Sequence, residues 1–287
     1  MSELKLRKIP FEFDGVDFLW HPKQPAVSAL MNQISFISPG FEKYIFRATK
    51  EAESLIEEPV VLKEAIEFRL QEGQHAKCHR AHIAALVKRY PGLQKTMDDV
   101  VALYDELYEE QDIKFHLAFS GNLEATFTPF FKVIIDHRES LFGEGDSRVA
   151  SLLLWHFCEE IEHRSAAMDI YQSVYGDQLY RMSIIPKVIS FNKHLGEMIL
   201  EGFKEHVPNL PEECFTGERF PGVPKREMFS MIGKLISAQM PWYNHDAQPL
   251  PEWANTWFEH YEKGEDMTNF YGVKPAPAAE LAVSPAA

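Results

Sequence analysis

Apolar positions recur along this chain at spacings of three and four, the period of helices that pack by one face. Phe41, Tyr44, Ile45 and Ala48 set the first such stripe. Ser38 reads as its N-cap and Pro39 as its first helical residue, because a hydroxyl satisfies the free N–H groups of a helix start and proline lacks an N–H there. The stripe should end near Glu57-Glu58-Pro59, since proline disfavours helical backbone in the residue before it. A second helix is expected over about residues 60–90, closed by Pro91-Gly92. A third segment, about 94–142, holds Gly121-Asn122 and Pro129 and should be kinked or broken there. Gly143 to Asp146 reads as a turn, with Asp146 capping a fourth helix that reaches about Tyr175. Further amphipathic segments near 179–204, 227–239 and 252–263 are separated by proline-rich connectors at 220–224 and 248–251. With no alternating strand pattern and no fixed repeat evident, the expected class is all-α.

Composition narrows this picture. The chain has 287 residues, 45% hydrophobic and 13% aromatic, enough for one sizeable core. Acidic residues outnumber basic ones, 43 to 29, and a net charge of −14 disfavours nucleic acid and anionic membranes as partners. Cys78, Cys158 and Cys214 form neither a CxxC pair nor an even set, so no disulfide framework is expected and a reducing cytoplasm fits best. The first residues contain no apolar stretch suited to a signal peptide, and the longest apolar runs, such as 151–157, are too short for a membrane span. The expectation is a cytoplasmic protein.

The chemistry lies in two repeats of Glu-x-x-His, at Glu72/His75 in the second helix and Glu160/His163 in the fourth. A spacing of three puts both side chains on one helix face, where a carboxylate and an imidazole can meet one metal ion. In four-helix bundles, two such motifs and one glutamate from each remaining helix build a dinuclear carboxylate site. Loop positions locate the other two glutamates. If helices one and two are antiparallel about Glu58-Pro59, Glu72 lies 14 residues past the turn, level with a residue 14–16 before it. Glu42 is the only acid between Asp17 and Glu51. The third and fourth helices meet at 143–146, and the matching level falls somewhat before Asp136, where Glu124 is the only acid after Asp112. Leu123, Ala125, Phe127, Phe130 and Phe131 surround Glu124 in sequence, and a carboxylate in such company needs a partner or a metal.

His156 precedes Glu160 by four and His163 by seven, which places three donors within roughly 60° of one helix face. Glu159, on the same side, can replace Glu160 through a His156–Glu159 pair, although the spacing to His163 favours Glu160. His79 and His82 follow His75 at four and seven residues. His79 and Glu159 are candidates for groups that orient a ligand from behind, whereas His82 reads as an ordinary polar-face residue. Cys78 and Cys158 read as small buried hydrophobes. Phe115, Phe119, Phe127, Phe130, Phe131, Trp155 and Phe157 read as core, some of them able to line an apolar substrate pocket. There is no HExxH, GxSxG or P-loop.

The order Glu42, Glu72/His75, Glu124, Glu160/His163 resembles the ferritin-like di-iron superfamily, over about residues 38–175. With His156 added, the pattern resembles p-aminobenzoate N-oxygenase-type enzymes, which oxidise an amine. That resemblance implies Glu42 and Glu124 as terminal carboxylates, Glu72 and Glu160 as bridges, and His75, His156 and His163 as nitrogen ligands. Over about 10–265 the chain is similar to a bacterial family of predicted metal-dependent hydrolases, most clearly at Gln71-Glu-Gly-Gln-His-Ala-Lys-Cys-His79.

The expected organisation is therefore an irregular lead-in (1–37), a ferritin-like four-helix metal-binding bundle (38–176), additional helices packed on it (177–265) and a disordered tail (266–287). The expected cofactor is a pair of iron ions, with manganese as the substitute. The expected function is an oxidase or oxygenase that activates dioxygen for a small organic substrate with an electron-donor protein. A dinuclear metal-dependent hydrolase is the alternative. Iron binding without catalysis is a third, opposed by the helices after Gly176, which a storage subunit does not need. The oligomeric state is not legible.

Overall fold

The computed structural model describes residues 4–271, which contain helices and turns and no strand. The helices are α1 (Pro25–Ala52), α2 (Pro59–Arg89), α3 (Leu93–Glu110), α4 (Ile113–Asp136), α5 (Arg138–Phe142), α6 (Ser147–Glu162), α7 (Ala166–Val174), α8 (Gln178–Ser183), α9 (Ile185–His206), α10 (Glu213–Thr216), α11 (Lys225–Ala238) and α12 (Glu252–Glu262). The four helices that carry the candidate ligands are α1, α2, α4 and α6. α1 lies along α2, and α4 along α6 and α7. α3 packs between α1 and α9, outside that group.

Local signals explain most boundaries. Glu58 is extended just before Pro59, as the proline requires. Asp146 caps α6 by accepting from the Arg148 N–H at 2.9 Å. The third segment is broken at Gln111–Asp112 and again at His137, and α4 runs unbroken through Gly121 and Pro129. Asp112 caps α4 by accepting from the Phe115 N–H at 2.8 Å, and both Gly121 and Pro129 lie inside α4. The first helix begins at Pro25 rather than Ser38. Ser38-Pro39 is interior, and the Ser38 hydroxyl donates to the Ile34 carbonyl at 3.1 Å instead of capping a helix start. The fourth segment is interrupted at His163–Ser165 and resumes as α7.

The lead-in is irregular but not loose. Arg7, Ile9, Phe11 and Phe13 are buried while Lys8, Pro10, Glu12 and Asp14 are exposed. This is the period-two pattern of an extended chain with one face covered, here by helices rather than by a sheet. Residues 266–271 of the expected tail pack against the fold. Asp266 caps a 3-10 turn (Met267–Asn269), Met267 is buried, and the Tyr271 N–H reaches the Ser151 hydroxyl at 3.1 Å. Residues 272–287 of that tail lie outside the described residues. The seven aromatic residues expected in the core are packed there, although Phe127 and Phe130 are only partly buried.

Gly40 lets α1 pack closely on α3, since a Cβ there would fall 2.7 Å from the Tyr104 ring. Gly40→Val should therefore cost about 1–3 kcal/mol through overpacking. Gly73, on α2, faces only Phe46 at 3.8 Å, and Gly73→Ala should stabilise by roughly 0.5–1 kcal/mol. Thermal denaturation of the two variants checks both signs.

Candidate metal centre

α1 brings Glu42, α2 brings Glu72 and His75, α4 brings Glu124, and α6 brings His156, Glu160 and, at its C-terminal edge, His163; all are buried. Glu72, His75, Glu160 and His163 each offer a donor atom, and the four atoms lie within 4.8 Å of one another; Glu42, His79 and His156 make a second such convergence. The two groups touch. His156 Nε2 is 2.7 Å from Glu160 Oε1 and 3.4 Å from Glu42 Oε1. His75 Nδ1 is 3.3 Å from Glu160 Oε1, and His163 Nε2 is 3.3 Å from Glu72 Oε1. Glu124 Oε2 lies 3.8 Å from His163 Nδ1. The structure thus brings all seven residues to one interior centre.

Both oxygens of Glu42, Glu72 and Glu124, Oε2 of Glu160, Nδ1 of His75 and both ring nitrogens of His163 are buried with no hydrogen-bond partner. Unpaired polar atoms are expensive inside a protein and normally absent. Here they converge, and several approach one another at 3.3–3.9 Å without hydrogen-bond alignment. The groups face a common centre rather than each other. Four carboxylates carry four negative charges, which two divalent cations match with the imidazoles neutral. The donor set therefore fits a pair of metal ions.

A supporting layer holds these ligands. His75 Nε2 is 2.8 Å from Glu159 Oε2, and Glu159 Oε1 accepts from Arg7 at 3.0 Å. Arg7 also grips Glu162 with two bonds of 2.7 and 2.9 Å, and Gln71 donates to Glu162 at 3.0 Å. Glu159 thus does not take Glu160's place. It turns outward, ties down the far side of His75 and is countered by the lead-in's Arg7. His79 stands behind His156, with Nε2 at 2.8 Å from His156 Nδ1 and Nδ1 at 3.0 Å from the Ser35 hydroxyl, which is also 3.1 Å from His82 Nδ1. With a cation at the centre, His156 offers its Nε2 lone pair and carries its proton on Nδ1. The chain then reads in one direction: His156 donates to His79, His79 to Ser35, and Ser35 to His82. His82 is thus part of a buried chain, not an ordinary polar face. Arg7, Ser35, Gln71 and Glu162 escape sequence reasoning. Cys78 and Cys158 are buried free thiols, and burial pushes Cys78 up to about 12, which suits packing rather than nucleophilic work.

Burial dominates the electrostatics. It pushes Glu42 up to about 8, with Glu160 adding to the rise. Glu72 and Glu124 are driven well above the usual carboxylate range by burial and then by the neighbouring Glu160. Burial opposes the charge of Glu160 too, but the facing His163, His156 and His75 hold it well below its ordinary value. Burial also opposes a charged His75, yet Glu159 and Glu160 raise it to about 10. Without cations the centre can keep its carboxylates buried only by protonating some of them.

A cavity of about 420 Å³ opens onto the centre. Glu42, His156 and Glu160 form its polar end, and Ile37, Phe41, Phe127 and Phe131 are among its apolar walls. The buried Tyr104 hydroxyl, without a partner, lies in the same wall. Size and lining suit a small organic ligand.

Two outcomes follow for the purified protein. After removal of metal by a chelator, the neutral form of Glu42 is the favoured one in the fold. The stability it contributes is present below about 4.5, its ordinary value, and is lost as pH rises to about 8. Thermal melts should show this decline in chelated protein and a smaller one in metal-loaded protein. Arg7→Ala strips Glu159 of its counter-charge and should weaken metal affinity about 10–100-fold in chelator competition, with helical content retained.

Residues 5–235 match the family described as predicted metal-dependent hydrolase. No curated protein and no solved structure gives a significant match. Among the described residues no helix is long and apolar enough to cross a membrane. The matched span contains every residue of the buried centre, and this chain belongs to the family of predicted metal-dependent hydrolases.

Proposed function

We propose that the chain is a dinuclear iron enzyme that uses dioxygen to oxidise or oxygenate a small, largely apolar organic substrate. Glu42, Glu72, His75, Glu124, His156, Glu160 and His163 are the proposed ligands of the two ions. The observation that carries the reading is the set of four buried carboxylates with unpartnered oxygens, facing three histidines at the end of an apolar cavity. A centre this rich in carboxylate suits iron or manganese better than zinc, which recruits fewer carboxylates. When bound, a reduced iron pair supplies the electrons with which dioxygen is activated.

The protein's own part is positioning and exclusion of water. Glu159 accepts from His75 and so aims the opposite ring nitrogen at the centre. His79 does the same for His156. The aromatic walls keep bulk water away and offer dispersion contacts to an apolar substrate, while Glu42 and Glu160 border both the centre and the cavity. Return of the pair to its reduced form needs electrons from outside the chain, and an electron-donor protein is the proposed source.

A hydrolytic reading is favoured by the family's description. It requires turnover of an ester, amide or phosphate without oxygen, retained with manganese or zinc. The cavity's apolar walls favour the oxidative reading instead.

Two experiments separate the readings. Iron-loaded, reduced protein should reoxidise in air much faster than free ferrous ion. An unaccelerated rate, or oxygen-independent hydrolysis by the zinc form, contradicts the oxidase reading. His156→Ala should keep the fold and the four carboxylates yet change the spectrum of the iron pair and lower its affinity. An unchanged spectrum and metal content would make His156 a bystander.

A further inference from the structure

The cavity at the centre does not end at its own wall. Thr126, Phe130, Val188 and Ile189 also line a second cavity of about 560 Å³, which continues between α4, α9 and α11 past Leu235 and Ile236. The two spaces share these four residues and so adjoin, one beside Glu42 and Glu160 and the other toward the surface at α9 and α11. Beyond Glu42, His156 and Glu160, no charged side chain lines either part. Their polar groups are Ser38, Tyr104, Asn122, Thr126, Asn192 and Gln239; all but the unpartnered Tyr104 hydroxyl donate to backbone carbonyls, Thr126 to Leu123 at 2.7 Å.

The outer end emerges among exposed apolar side chains. Ile189 is 64% exposed and Ile236 62% exposed, and Phe229 and Ile232 continue the stripe along α11. In a chain of net charge −14, residues 178–196 and 228–245, which flank this opening, contain no Asp or Glu. A long uncharged path that runs from a reactive centre to an opening free of acids has a natural occupant.

We propose that the substrate carries a long unbranched hydrocarbon chain. The chain lies along both cavities with one part against Glu42 and Glu160, while a polar or anionic head stays at the α9–α11 opening. The proposal rests on the oxidative reading of the same centre and adds to it the substrate class. A compact polar substrate would leave most of this apolar run unfilled, and a head group inside would meet no countercharge there.

The test uses the anaerobic, metal-loaded full chain and saturated fatty acids of about 8 to 18 carbons by titration calorimetry, where each buried methylene should raise affinity about fourfold. The rise should persist through the longer acids. Thr126→Trp, which narrows the shared neck, should stop the rise at shorter chains. Ile236→Glu, at an exposed position that leaves folding intact, should lower affinity at every length by tenfold or more. Affinity independent of chain length, or unaffected by both variants, overturns the proposal. Cosedimentation with phosphatidylcholine vesicles without binding of the free acid also overturns it, as does a dimer broken by Ile236→Glu without acid binding. Accelerated reoxidation without acid binding removes only the substrate class. Acid binding without reoxidation removes the oxidative reading.

Discussion

Four carboxylates and three imidazoles meet in the buried interior of this protein, and the concentration of negative charge there constrains everything around it. Burial drives Glu42, Glu72 and Glu124 toward taking up a proton. Together they would repel one another strongly at the short separations that the structure shows. Under the proposed function, two divalent cations would convert that repulsion into attraction and satisfy the oxygens that no protein group reaches. The four helices that carry these residues would then be joined through the centre as well as by packing.

The second constraint is orientation. A metal-ligating imidazole is oriented by a partner on its other nitrogen, and for His75 and His156 that partner is supplied by chain segments distant in sequence. The lead-in delivers Arg7 to Glu159 and so to His75. The interior of α1 delivers Ser35 to His79 and so to His156. Pro39, four residues after Ser35, has no N–H for the Ser35 carbonyl, so one backbone bond of α1 is missing there. The extended lead-in is thus part of the centre's architecture rather than a loose approach to the first helix.

Much of the centre was legible because its chemistry is sparse. Glu42 and Glu124 each stand alone in a long acid-free stretch, so loop position and helix rise were enough to select them. The two Glu-x-x-His motifs and His156 lie on helix faces whose period is plain. What was hidden depends on tertiary contact. Ser38-Pro39 carries the local signature of a helix start, but packing against α2 and α3 keeps α1 continuous through it. Gly121 and Pro129 looked like breakers, yet the Asp112 cap supplied a better starting point for α4. Arg7 sits in an irregular segment whose alternation was readable only once a helical surface was known to cover it. The choice between Glu159 and Glu160 needed the position of that arginine.

The most direct measurement is metal content with Mössbauer spectroscopy on protein purified without oxygen from cells supplied with iron. The account predicts two iron ions per chain behaving as a coupled pair, with both lost or altered when Glu160 is replaced by Gln. A protein that retains no metal, or a single isolated ion whose spectrum ignores Glu160, would contradict it.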